Sequence, residues 1–363
     1  MTNSSPSDAV SSDSEIETPL VSDTVPGVVD YNGRPVIRSK SGNWRSAWLI
    51  ISVEVAERVA YFGIMSNLIN YLTGPLQQST ATAAENVNVW IGTLSLLPLV
   101  GGFVADSYLG RYYTIIVASL IYIVGLGLLT FSAMLPSLSN SECEVANRLT
   151  SCSPRLQVIL FYISLYLVAI GIGGHKPCVQ AFGADQFDEH DPKEGKARSS
   201  FFTWWYFTLC GGCMLTVWIL NYIQDNLGWA LGFGIPCLVM ISGLAVFLLG
   251  MITYRFNIKE TDEKSPFVRI GSVFVVAIRN RQTSQSEIAI KMETLGILPY
   301  QSSKQFSFLN KALIAPKGSK EDKACSLSEV EEAKAVLRLA PIWAACLNYA
   351  KSYIYNKKGS SNR

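Results

Sequence analysis

A chain of 363 residues has room for two soluble domains, yet 49 % of it is hydrophobic and only 16 % is charged, with the charge gathered at the ends and in loops. That segregation excludes an ordinary soluble fold and favours several membrane crossings. A net charge of +2 without a compact basic surface gives no footing for nucleic-acid binding. No Ser/His/Asp set, Cys/His metal spacing or nucleotide loop stands in the polar parts, so neither an enzyme nor a resident metal or cofactor is expected.

Residues 1–43 are rich in Ser, Asp, Thr and Pro with no sustained apolar period, and they are expected to form a disordered cytosolic tail. No short apolar region with a small-residue cleavage site follows the start, so the first span itself should direct insertion. Residues 15–21 (EIETPLV) loosely match an acidic, leucine-based sorting signal.

Six hydrophobic segments follow at about 46–71, 87–107, 112–135, 156–178, 200–221 and 229–253. Each approaches the roughly 20 residues that cross about 30 Å of hydrocarbon as a helix. The first holds Glu54, Glu57 and Arg58, spaced i, i+3 and i+4, so their heads share one helix face. Ionised groups in such a segment cost several kcal/mol (about 2.5–3.5 each on insertion scales) unless they pair or line a cavity. That face is therefore expected to look into a polar cavity shared with other helices.

The loops at 72–86 and 222–228 carry no Lys or Arg, and the loop at 136–155 carries Arg148 and Arg155. The opposite set holds Arg111, then Lys193, Lys196 and Arg198, then twelve Lys or Arg between Tyr254 and Val330. Positive charge stays inside, which puts the N-terminus and the region 254–330 in the cytosol. Eight cysteines mostly lie in apolar segments as small buried side chains. Cys143 and Cys152 share one polar loop, where a disulfide is open to them on the outer side.

Residues 254–330 read as a polar cytosolic linker with one amphipathic patch at 267–280, suited to the membrane interface or to the bundle. Residues 331–350 begin a seventh helix, apolar over 336–349, and 351–363 form an atypical polar, basic tail. The fold class expected is an all-α multi-spanning membrane protein, a six-helix bundle at 44–253 plus an incomplete seventh helix. Such a chain is similar to one half of a two-bundle transporter.

Four stretches carry a more specific resemblance: EVAER at 54–58, GGFVADSYLGRYYTI at 101–115, GIGGHKPCVQAFGADQFD at 171–188 and SFFTWWYF at 200–207, joined by VEEAKAVLRLAPIW at 330–343. The chain resembles the plant nitrate/peptide transporter family, part of the proton-coupled oligopeptide transporter family in the major facilitator superfamily, and looks like a C-terminally truncated member. The resemblance implies a proton-coupling set of Glu54, Glu57, Arg58 and Lys176, with Lys176 as partner of the two glutamates. It implies a gating or structural role for Gly101, Gly102, Asp106, Gly110 and Arg111 around the shortest cytosolic turn. Candidate substrate-cavity residues are Tyr61, Trp205 and Tyr206.

His175 is expected to stay neutral beside Lys176 and to pack or hydrogen-bond rather than switch. The fifth-span signature departs from the family pattern, with Thr203 and Cys210 where Asn is usual, which weakens a claim to peptide-backbone recognition. The implied partners are protons, a small solute such as nitrate or a di- or tripeptide, the lipid bilayer, and a C-terminal six-helix bundle absent from this sequence. The implied activity is proton-driven symport by alternating access at the plasma or vacuolar membrane. The other reading is a truncated, transport-inactive product acting as a regulatory or non-functional partner.

Overall fold

The computed structural model describes residues 24–145, 154–257, 266–282, 287, 290, 305–314 and 324–342. The chain divides into two compact units, Met1–Glu260 and Thr261–Arg363. The first is an all-α bundle with one small sheet. Its helices are α1 (Asn43–Met65), α2 (Leu68–Thr73), α3 (Thr80–Val104), α4 (Arg111–Val145), α5 (Pro154–Ala184), α6 (Pro192–Asn226) and α7 (Trp229–Leu249). A π turn, Ala105–Leu109, ends α3, and a 3-10 turn, Gly250–Thr253, ends α7.

Five of these helices, α3 to α7, are long and apolar enough to cross a membrane. At 23 residues α1 is long enough, but Arg45, Glu54, Glu57 and Arg58 set it apart on composition. The first hydrophobic segment also ends sooner than its composition suggests. Ser66 Oγ donates to Asn221 Oδ1 of α6 at 2.6 Å and Asn67 Nδ2 donates to Asp225 Oδ1 at 2.9 Å, and the chain restarts there as α2. In the other direction α6 begins eight residues before its apolar part, because Asp191 caps it by accepting from Lys193 N and Pro192 occupies the first turn.

The helices pack as two groups, α3–α4–α5 and α1–α6–α7, joined where α1 meets α5 and α4 meets α7. Two apolar cores fill them. One gathers Tyr71, Trp90, Tyr122, Phe161 and Phe233, and the other gathers Tyr112, Phe182, Phe201, Trp205 and Phe247. On α1 the division between the cores falls between Val53 and Ala56, and on α5 between Ile172 and Cys178. Glycines permit the closest approaches: a Cβ on Gly171 would stand 2.8 Å from Tyr122 Cβ, and one on Gly243 2.6 Å from Ala56 Cβ.

The expectation of a structureless tail over 1–43 is corrected from residue 24 onward. Strands β1 (Thr24–Val29) and β2 (Pro35–Ile37) form an antiparallel pair, and β3 (Phe256–Asn257) joins the free edge of β1 in the order β2-β1-β3. Polar composition hid these strands because backbone pairing, with each other and with β3 more than 200 positions away, holds them rather than an apolar period. Asp30 shapes the turn, its Oδ1 accepting from Asn32 N and Arg34 N at 2.8 Å each.

The second unit has a core of its own. Helix α8 (Pro266–Arg279) turns Val273, Val276 and Ala277 against Leu309, Ala312 and Leu313 of a 3-10 segment, Ser307–Leu313, and against Val330 and Ala333. The amphipathic patch expected at the membrane interface or the bundle thus buries its apolar face within its own unit. Residues 327–342 are helical. The rest of the expected seventh helix, and the pairing of Cys143 with Cys152, lie outside the described residues.

Candidate functional site

Between the two cores of the bundle, α1 buries a carboxylate pair. Glu57 is fully buried and Glu54 is 5 % exposed. The i+4 and i+1 spacings bring Arg58 to both: Nε lies 3.1 Å from Glu54 Oε1 and Nη2 lies 2.5 Å from Glu57 Oε2. One guanidinium therefore bridges two carboxylates, leaving the trio with one net negative charge when all are ionised. The outer edge of the trio is aromatic, with Arg58 Cζ 5.6 Å from the centre of the Tyr61 ring, which itself stacks on Trp90.

The expected fourth member is displaced. Lys176 is exposed and makes no ion pair within 4.0 Å among the described residues, although its charge acts on both carboxylates. Its neighbour takes the near position: His175 is fully buried with Nδ1 4.0 Å from Glu54 Oε2. Successive residues on a helix point about 100° apart, so α5 cannot present both side chains to α1. Glu54, Glu57 and His175 have ligating atoms within 4.8 Å of one another. Arg58 already neutralises much of that carboxylate charge, which disfavours a bound cation.

The aromatic candidates separate. Tyr61 belongs to the site through Arg58, whereas Trp205 is buried in the core against Phe201, at 5.3 Å between ring centres. Tyr206 is 57 % exposed. Adjacent positions on α6 point one aromatic inward and the next outward, so they do not act as a pair.

The turn between α3 and α4 is built as its residues suggest. Gly110 has φ +79°, a left-handed conformation that favours glycine. Arg111, opening α4, approaches Asp106 at 3.8 Å (Nε to Oδ1) and pairs with Asp185, just past the end of α5. Burial pushes the Asp185 carboxyl above its usual range against the pull of Arg111. Gly101 lies against Gly173, while Gly102 meets only Pro177, at 3.8 Å from a Cβ placed there.

A second ionic cluster had no signal in the sequence. Arg255, 1 % exposed, pairs with Glu194 at 2.7 Å and donates from Nη2 and Nε to the Ser41 carbonyl at 2.8 and 3.1 Å. Arg38 reaches Asp188 at 2.7 Å, Asp191 at 2.9 Å and Glu194 at 3.5 Å. Gln186 completes the cluster, its Oε1 accepting from Arg255 N and its Nε2 donating to Arg255 O. Three segments far apart in sequence are thereby fastened: the end of the tail, the α5–α6 loop and the exit of α7.

A family model described as PTR2, POT family, matches residues 112–360. Protein NRT1/ PTR FAMILY 5.10 of Arabidopsis thaliana is 62 % identical over 336 residues, covering 93 % of this chain and 58 % of that protein. Protein NRT1/ PTR FAMILY 5.16 of the same plant is 55 % identical over 335 residues, covering 91 % of this chain and 58 % of that protein. The chain thus spans well under two thirds of the length of these relatives. The in meso crystal structure of the POT family transporter PepTSo superposes with a TM-score of 0.51 at 23 % identity, over 80 % of this chain and 55 % of that one, a likeness of fold.

Proposed function

This chain belongs to the POT family, and from that membership we propose that it forms the proton-handling half of a symporter that works by alternating access. The observation that carries the reading is Arg58 bridging Glu54 and Glu57 in the middle of a bundle of membrane-crossing helices. In the deprotonated state Arg58 holds both carboxylates. A proton arriving from the outer side neutralises one of them, loosens its pair with Arg58 and shifts the balance between outward-open and inward-open forms. Lys176 contributes a positive charge at longer range. The substrate class is nitrate, a di- or tripeptide, or another small solute.

The topology proposed has α1 as the first of six crossings, its ionised face turned inward, with the N-terminus and residues 254–330 cytosolic and 331–350 opening a seventh helix. The loop charges support this arrangement, and so does the isolation of Glu54, Glu57 and Arg58 on one face of α1. Substrate in this fold is held between two halves, so uptake is an activity of the full-length protein.

The test is uptake of nitrate and of labelled dipeptides into proteoliposomes under an imposed proton gradient, with the full-length protein and the 363-residue chain side by side. Saturable, gradient-dependent uptake is expected of the full-length protein and not of the 363 residues alone. Glu57→Gln in the full-length protein is expected to abolish gradient-driven uptake while leaving membrane insertion intact. Proton-driven uptake that survives this change defeats the reading.

A further inference from the structure

We infer that His175 is the hydrogen-bond acceptor for the transported proton while that proton resides on Glu54. The inference deepens the function proposed above and rests on it. Two buried polar atoms approach each other here. Glu54 Oε2 and His175 Nδ1 are 4.0 Å apart, and among the described residues neither has a hydrogen-bond partner. The His175 ring is fully buried and Nε2 is likewise unpartnered. A buried imidazole with no partner is costly, a cost that a purely space-filling residue at this position would avoid.

The division of labour on Glu54 gives the pair its sense. Its Oε1 faces Arg58 Nε, so Arg58 serves the ionised carboxylate through one oxygen and leaves the other turned to α5. A carboxylate and a neutral imidazole nitrogen bearing a lone pair repel. A proton on Oε2 converts the first into an O–H donor and makes the second its acceptor. The step balances simply: one proton arrives from the aqueous side, an O–H bond forms on Glu54, no bond breaks on His175, and the proton later leaves from the same oxygen. Closing 4.0 Å to hydrogen-bonding range requires about 1 Å of side-chain movement.

Helix α1 faces the ring with Glu54, Glu57 and Arg58, α4 brings Tyr122, and α5 itself carries Lys176, while the only ionisable residue of α3 is Glu85, far from this level. A fully buried imidazolium would lose its hydration, and the Arg58 guanidinium adds like-charge repulsion. His175 therefore remains a neutral acceptor, with its own hydrogen on Nε2. Arg58 holds Glu54 when it is empty, and His175 holds it when it is loaded.

The sequence contains two histidines, at 175 and 190, and His190 is exposed, so histidine labelled with nitrogen-15 reports the site without any substitution. In the 363-residue chain in liposomes, the His175 Nδ1 resonance is expected to stay that of an unprotonated nitrogen and to move upfield as pH falls. Its midpoint should coincide with the appearance of a protonated-carboxyl infrared band that Glu54→Gln removes. His175→Leu should shift the band to higher wavenumber and lower its pH midpoint by about one unit, a tenfold change. His175→Asn, which places an amide oxygen near Nδ1, should restore both.

An imidazolium signal for His175 in this range, or a Glu54 band indifferent to the loss of the ring, overturns the inference. If neither Glu54 nor Glu57 gives a titrating band, the proposed proton-coupling function fails with it. A titrating band that ignores His175 defeats only the acceptor role. The label experiment on the unaltered chain decides the matter even where His175→Leu does not fold.

Discussion

The carbonyl of Gly173 lies so close to Gly101 that a Cβ on residue 101 would stand 2.2 Å from its oxygen. Pro177, four residues further along α5, has no N–H to offer that carbonyl. Helix α3 covers the exposed acceptor with the smallest backbone the code provides, and weak Cα–H···O contact is the natural consequence.

Gly101→Ala is therefore expected to destabilise the bundle by about 1–3 kcal/mol, the usual cost of overpacking. Gly102→Ala, whose Cβ would meet only Pro177 at 3.8 Å, should be neutral or stabilising by up to about 1 kcal/mol. Thermal unfolding of the two variants in the same detergent checks the contrast. Equal melting temperatures would show that the close approach is not as drawn.

Arg255→Ala leaves buried Glu194 with only the more distant Arg38, at 3.5 Å, and should cost up to about 3 kcal/mol. Replacing both, as Arg255→Met with Glu194→Leu, should recover part of that loss, because much of the cost comes from the weakened pairing of a buried charge. Protease sensitivity of residues 24–42 reports the same event locally. The single variant should be cut readily there and the double variant less so.

Gly42 has φ +74°, and a Cβ on it would fall 2.0 Å from Arg255 Nε, whereas Gly110 has φ +79° with open space around it. Gly110→Ala should lose only the backbone penalty of about 1–2 kcal/mol. Gly42→Ala should lose that and displace the guanidinium as well. Hydrogen exchange at Val28 and Val29 should accelerate in the Gly42 variant and not in the Gly110 variant.

The fastening of the tail should also depend on acid. Burial alone would raise the Asp188 carboxyl, but the His190 N–H and the Arg38 guanidinium outweigh it and hold the group below its usual range. A depressed folded value means that the stabilisation is complete above the unfolded value of about 3.9 and is lost as pH falls through the lower folded one. Exchange at Val28 and Val29 should be flat from pH 7 to pH 5, after correction for intrinsic rates, and rise below about pH 4. Asp188→Asn should remove most of that rise.

The crossings and the Glu54–Glu57–Arg58 face were legible in the sequence because each is a local property: an apolar run, or an i, i+3, i+4 spacing. Helical phase was not legible at the 175–176 step. Both side chains are polar, and only the packing of α5 on α1 decides which one turns inward. The Arg38–Asp188–Glu194–Arg255 cluster was still less accessible, since its members lie up to 217 residues apart and each reads singly as a solvated loop charge. Arg255 in particular looked like an ordinary cytosolic positive charge at the end of a span. The α8 patch had the right amphipathic period and an unknowable partner, which proved to be the segment Ser307–Leu313.

The pairing of Val28 with Asn257 and Val29 with Phe256 makes the bundle's entrance and exit one mechanical joint. A pull on the chain beyond residue 257 meets β1 before it can unwind α7, and passes through Gly42 into the start of α1. Tension is then shared by the first and last helices of the bundle and arrives as shear on a backbone ladder. The backbone that enters α1 and the backbone that leaves α7 are thus held side by side, without any side chain having to reach across the bundle.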